Sequence, residues 1–275
     1  TSEDFGTQTE MPTHPALLDW LAASFVEDHR WSTKSFIKMI LLSETYRQSS
    51  HIREDAYTID PTNRLLARQN RFRVEAEITR DLFLAASGLL TDSIGGPSVH
   101  PPVPEGVMNL GYANSIKWNE SKGADRYRRG LYIFFQRTVA YPMLMTFDCP
   151  DSNVATLARN RSNTPLQSLT LLNDPVFVEA AQALGKRLLT TGPKDLNDRV
   201  AQAFKLCMGR DPKPAEQDML VNLVTSQEAV FAALPEEAKA LVGPYMPEDV
   251  SPETAAAHTV LARSLMNLDE FVTRE

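Results

Sequence analysis

With 275 residues, 43% of them apolar, and a formal net charge of −7, the chain is long enough to bury a sizeable core. It is too acidic for general nucleic-acid binding, which needs a basic surface to displace counterions from phosphates. No run approaches the roughly 18 apolar residues of a membrane-spanning helix, so no membrane insertion is expected. The polar start Thr1-Ser2-Glu3-Asp4-Phe5-Gly6 is no signal peptide, which leaves a cytosolic protein or the processed or truncated part of an exported one.

The charge is unevenly spread. Residues 211–275 carry twelve Asp and Glu against Lys213, Lys239, Arg263 and Arg274, and this acidic helical end reads as a solvated face or a dock for a basic partner. Two cysteines, Cys149 and Cys207, are too few for a disulfide framework, and their spacing leaves open whether they pair. There is no Cys-x-x-Cys-His, hence no covalent c-type haem on this chain, and no paired-cysteine zinc signature. His14, His29, His51, His100 and His258 never fall at metal-ligand spacing, so no metal site is expected.

In chain order, Thr13-His14-Pro15 opens a helix, because a proline lacks only an N–H that the first turn leaves unbonded. Leu17, Leu18, Leu21 and Phe25 predict that this helix turns one face inward. Ser32 caps a second helix running to about Arg47, with Phe36, Ile37, Ile40 and Leu41 as its buried stripe; the two read as an antiparallel pair. Asp60-Pro61-Thr62-Asn63 predicts a turn. A helix resumes near Val74 with Ile78, Leu82, Phe83 and Leu89 on one face, and Glu75 and Glu77 suit its positive end. Arg71, Arg73 and Arg80 flank those acids as a surface ion-pair network.

Residues 91–122 offer little pattern, and Gly95-Gly96-Pro97 with His100-Pro101-Pro102-Val103-Pro104 is extended ribbon or loop. Within it His100, Tyr112 and Trp118 either line a pocket or pin the loop down. Residues 131–139, rich in β-branched and aromatic side chains, are the best strand candidate, with a helix end as the competing reading. Thr164-Pro165 begins a helix that Asn173-Asp174-Pro175 ends, Asn173 taking a left-handed turn while Asp174 caps the next one. Gly192-Pro193 breaks that helix, Gly209 ends the following one with Cys207 as a small core residue, and Ser251-Pro252 starts the last, with Leu261, Leu265 and Leu268 inward. The predicted fold class is mainly α: a multi-helix, bundle-like domain with long irregular loops and at most a small β pair. One domain over 1–275 is expected, with a possible sub-boundary near 91–125 and an acidic helical end at 194–275.

Chemistry concentrates in residues 125–175, where Arg126, Arg128, Arg129, Arg137, Arg159 and Arg161 stand among aromatics and amides. Arginine's planar fork suits carboxylate, sulfate or phosphate, so the cluster reads either as an anion site or as ion pairs with the chain's own acids. The candidate ligand-binding residues are Arg137, Asp148, Arg161, Asn163, Thr164, Gln167, Arg128 and Arg129; of these, Arg137 and Arg161 with Asp148, Thr164 and Gln167 are expected to form a pocket beside the start of the Pro165 helix, whose unpaired N–H groups favour an anion. No nucleophile elbow, phosphate loop, dinucleotide fingerprint or His-Glu-x-x-His is present, and no catalytic residue is assigned.

Many separate phrases in one order carry a resemblance: Pro12-Thr13-His14-Pro15 with Leu18-Asp19-Trp20-Leu21-Ala22, Thr45-Tyr46-Arg47-Gln48-Ser49-Ser50, Asn63-Arg64-Leu65-Leu66-Ala67-Arg68, Tyr127-Arg128-Arg129, Asn163-Thr164-Pro165-Leu166-Gln167 and Leu171-Leu172-Asn173-Asp174-Pro175. The chain resembles the carboxy-terminal domain of unknown function of planctomycete cytochrome c-type proteins (domain of unknown function 1553, planctomycete surface domain 1) over nearly its whole length. It departs from that pattern at Cys149, where alanine is typical, and at Asn160, where arginine is common. The resemblance implies an exported, periplasmic or cell-surface protein, with c-type haem on an amino-terminal part outside this chain and the preceding domains as partners. Phe5, without an obvious local partner, fits a segment cut from such a longer protein. The residues then support two functions: a binding or interaction module, or a catalytic domain acting on anionic (sulfated or uronic) carbohydrate and coupled to the haem module.

Overall fold

The computed structural model describes residues 9–104, 106, 118–136 and 140–274, and among them twelve α-helices and one two-stranded sheet make up the regular structure. The helices are α1 (Pro15–Glu27), α2 (Thr33–Leu42), α3 (Glu44–Arg47), α4 (Glu54–Ile59), α5 (Ala76–Ser87), α6 (Pro142–Thr146), α7 (Pro165–Asn173), α8 (Pro175–Thr191), α9 (Leu196–Met208), α10 (Pro214–Ala232), α11 (Pro235–Val242) and α12 (Pro252–Met266). The sheet is β1 (Phe72–Arg73) with β2 (Thr273–Arg274). The mainly α class is as the sequence indicates. Proline in the first turn starts seven of the twelve helices, as its fixed φ and missing N–H allow. Ser32, Thr164, Asp174 and Ser251 accept backbone N–H bonds at the positions expected of caps.

The chain divides into two compact units, one of residues up to Phe72 with 156–158 and Arg274, the other of Arg73–Ala155 with Arg159–Thr273. In the first, Phe25 meets Trp31 at 5.3 Å and Phe36 at 5.0 Å between ring centroids, closing the joint of α1 and α2. The apolar stripes of these helices are not buried as their spacing predicts: Leu17, Leu18, Ile37 and Leu41 are all more than 40% exposed. Periodicity identifies an apolar face, and whether anything covers it is a separate question. Among the described residues of this unit the only buried ones are Ser24, Asp60 and Asn63. The second helix also stops at Leu42, where Ser43 turns extended and caps α3.

The second unit holds the core. Phe83 of α5 meets Phe177 of α8 at 4.4 Å and Phe271 at 5.0 Å, beside the fully buried Leu184, Leu188, Leu261 and Leu265. Each such side chain contributes about 1.5–3 kcal/mol. Gly185 lets α8 and α12 approach closely: a Cβ there would lie 3.1 Å from Thr259 N. Ala238 and Val242 seat α11 on Ala255 and Ala256.

Several local readings change. Arg80 is no surface partner of Glu75 and Glu77; it is 1% exposed and donates from Nη1 to Arg128 O at 2.5 Å and from Nη2 to Arg126 O at 2.8 Å. An arginine on the inner face of a helix is indistinguishable by composition from one on the outer face. The strand expected over 131–139 is, among its described residues, a 3₁₀ turn at Gly130–Tyr132 followed by a single bridge from Val99 to Ile133. Among the described residues no neighbouring strand continues that pairing. Asn173 stays inside α7, its side chain bonded to Leu169 O at 2.9 Å, and Asp174 ends the helix in extended conformation. Leu268 is 44% exposed rather than inward. Cys149 and Cys207 are both free thiols. Trp118 pins its loop, donating to Pro101 O at 2.7 Å and stacking on the buried Tyr141 at 5.7 Å; Tyr112 and Phe5 lie outside the described residues.

Candidate functional site

Asp148, Arg161 and Gln167 converge. They line one small cavity with Arg73, Glu75, Arg159 and Ser162. Asp148 sits in the left-handed region at φ 61°, which its short polar side chain tolerates. Its Oδ2 accepts from both the N–H and the hydroxyl of Ser162, each at 2.7 Å. Gln167, buried in the first turn of α7, donates from Nε2 to Ser162 Oγ and to Thr146 O, both at 3.0 Å, while its Oε1 accepts from Arg73 Nη1 at 2.5 Å. Arg73 Nη2 continues to Asp269 at 3.2 Å. Thr164 is exposed and caps α7, accepting from Gln167 N at 3.4 Å, and Asn163 beside it is exposed.

Two arginines of this centre, Arg73 and Arg159, are bound to the chain's own acids. Arg159 forks onto Glu77, Nη1 to Oε2 at 2.6 Å and Nη2 to Oε1 at 3.2 Å. Burial works to raise the Glu77 carboxyl, and the Arg159 fork overrides it, holding the group below the usual carboxylate range. Cys149 Sγ lies 3.8 Å from the same carboxylate, and burial followed by that charge pushes the thiol up to about 11, away from thiolate chemistry at neutral pH. The cavity volume is about 10 Å³, room for about one water molecule and not for a sugar ring.

Arg128 and Arg129 are not brought to this place. Arg128 is buried, donates to the carbonyls of Ser93, Gly95 and Pro97, and lies 3.9 Å over the Tyr132 ring, so it holds the 93–97 loop. Arg129 is exposed and stands 3.9 Å from Asp81. Arg126 pairs with Glu120 and Glu179, and Glu179 also accepts from Tyr127 and Tyr245. Arg137 lies outside the described residues. No group of three or more potential metal ligands occurs among the described residues, and no helix there is long and apolar enough to cross a membrane.

A second concavity, which sequence reasoning missed, opens in the first unit. Leu17, Trp20 and Leu21 of α1, Met39 and Ile40 of α2, Tyr46 of α3 and the loop residues Leu66, Arg68, Gln69 and Asn70 enclose about 310 Å³ with a mostly apolar lining. The loop that closes it is built around Asn63. That residue, at φ 56°, donates from Nδ2 to Arg68 O at 2.8 Å and Asn70 Oδ1 at 2.9 Å, and accepts from Arg68 N at 3.2 Å. Asp60 anchors the other end by accepting from Leu65 N at 2.7 Å, the bond that chiefly holds its carboxyl below the usual range. Gln48 Nε2 reaches Leu66 O at 2.7 Å and ties the loop to the end of α3. The signal in the sequence was there in two pieces: an apolar stripe on α1 and α2, and the run Asn63-Arg64-Leu65-Leu66-Ala67-Arg68. Their juxtaposition is a property of the fold.

The family model of PSD1, described as a protein of unknown function (DUF1553), matches residues 1–224. No curated protein and no solved structure matches the chain.

Proposed function

The chain belongs to this PSD1 family, and from that premise we propose that it is a binding module rather than an enzyme. It works within an exported protein whose c-type haem and preceding domains lie on other segments, as the resemblance to cytochrome c-type proteins implies. The observation that carries the reading is the contrast between its two concavities. The polar centre is internally bonded and water-sized, whereas the cavity of the first unit, about 310 Å³ and apolar, falls in the range of small-molecule sites. Catalysis on sulfated or uronic carbohydrate remains the competing function, and it requires the Asp148 cavity to widen around a sugar.

The test is a titration of the chain with the neutral fluorescent probe N-phenyl-1-naphthylamine. Saturable binding of one probe per chain, lost in Ile40→Trp while the circular dichroism spectrum is kept, supports the reading. Absence of saturable binding overturns it, as does turnover of a sulfated or uronic oligosaccharide that Gln167→Ala abolishes.

A further inference from the structure

The apolar cavity does not end in solvent alone. Arg68, Gln69 and Asn70, which form part of its wall, also line a polar cleft of about 610 Å³ with Ser49, Ser50, His51, Ile52 and Arg71. A third hollow alongside is lined by Gln48, Ser49, His51, Arg53 and Ala67. Among the described residues that line these two polar hollows there are three arginines and a histidine, and no Asp or Glu. In a chain of net charge −7, a surface that passes from an apolar cavity to a polar cleft whose lining carries arginine and no carboxylate suits a molecule with an apolar chain and an anionic head. We propose that the first unit binds a single-chain amphiphile with an anionic head, such as a fatty carboxylate, its hydrocarbon chain between α1 and α2 and its head on Arg68. The proposal rests on the binding-module reading and names the ligand class.

Arg68 is placed for that role by the loop, not by a counter-ion. Its backbone is fixed at both N–H and C=O by the Asn63 side chain. Its Nη2 donates to Pro61 O at 3.3 Å, and no carboxylate lies within ion-pair distance of it among the described residues. Asp60 acts on it only at longer range, and the Asp60 oxygens are already engaged by Leu65 N and the Thr62 hydroxyl. A carboxylate head would therefore find a fork of donors held in place at the junction of the apolar and basic surfaces. Arg53 adds field at the exposed end, where salt screens it. The chain of the ligand would cover Leu17, Trp20 and Ile40, which nothing in the described first unit buries fully.

The experiment is displacement of bound N-phenyl-1-naphthylamine by dodecanoate, dodecan-1-ol and dodecyltrimethylammonium, at low and high salt. Dodecanoate is expected to displace the probe at a concentration about tenfold or more below that of dodecyltrimethylammonium, one charge-assisted contact being worth about a decade. Arg68→Gln should remove that preference and leave dodecan-1-ol unchanged. In wild type, half-molar sodium chloride should reduce the preference, a readout that does not depend on the variant folding. Equal displacement by all three heads overturns the head assignment while the apolar site stands. Stronger displacement by a peptide with an apolar carboxy terminus than by dodecanoate overturns the ligand class. Failure of the probe to bind at all removes both readings.

Discussion

His258, fully buried in α12, has Nδ1 2.8 Å from Thr254 O and Nε2 3.3 Å from Arg199 Nη1. This pattern fits the neutral ring, with Nδ1–H donating to the carbonyl and Nε2 accepting from the guanidinium. Burial lowers its pKa first; Arg199 lowers it further, against the opposing pull of the Thr254 bond and Glu228. The folded chain therefore resists a proton that the unfolded chain accepts, and stability falls as pH drops through about 6.5 towards the lowered value. The slope expected from this one group is at most ~1.4 kcal/mol per pH unit. Melting temperatures of wild type and His258→Gln between pH 7.5 and 5 check this: the wild type should lose more stability across that interval, and parallel curves would refute it. Asp81 and Asp174, both raised by burial, act in the opposite sense and do not mimic the effect. At the other polar centre, Arg159→Ala leaves Glu77 half-buried without its fork. A loss of about 1.5–3 kcal/mol is expected, with a rise in the Glu77 pKa visible in a carboxylate-resolved titration. A near-neutral melt would show the pair to be solvent-equivalent. This arginine was legible in the sequence as a strong anion partner, but its anion turned out to be a side chain 82 positions away. Composition fixes arginine's appetite for carboxylate and says nothing about whose carboxylate it is.

Helix boundaries were the most legible feature, because caps and first-turn prolines act through a few neighbouring atoms. Thr164-Pro165, Asp174-Pro175 and Ser251-Pro252 start helices where their chemistry requires. The misread element, residues 131–136, shows the converse. Aromatic and β-branched residues suit a pleated surface only where another strand offers partners, and here, among the described residues, only Val99 does. Faces were half legible: the stripes of α8 and α12 are buried, those of α1 and α2 are not, although the spacing is alike. What separates them is the partner, and α8 finds one through Gly185, whose missing Cβ admits Thr259. Gly185→Val should force these helices apart, at a cost of about 1–3 kcal/mol, read as a fall in denaturation midpoint with an unchanged slope. A variant as stable as wild type would mean that α12 shifts without loss.

At the scale of the molecule, burial is divided unequally between two compact units. All fully buried apolar side chains among the described residues, from Ala76 to Val272, belong to the second unit; the first buries only Ser24, Asp60 and Asn63. With no buried apolar side chain among its described residues, the first unit rests on half-buried contacts such as Phe25 with Phe36 and on the hydrogen bonds of Asp60 and Asn63, each worth only about 0.5–1.5 kcal/mol net. Local opening free energy follows such contacts, so the first unit should open far more often than the helices around Phe83 and Phe177. Amide hydrogen exchange measures this directly. Amides of α1 and α2 are expected to exchange at least about a hundredfold faster than those of α8 and α12, a difference of roughly 2.7 kcal/mol in opening free energy at ~1.4 kcal/mol per decade. An apolar chain in the α1–α2 cavity would supply the missing burial, and a ligand that binds only the closed form stabilises it by mass action. Saturating N-phenyl-1-naphthylamine should therefore slow exchange in α1 and α2 and leave α8 and α12 unchanged. Equal protection of both units without ligand would show that the first unit draws its stability from something other than its own contacts.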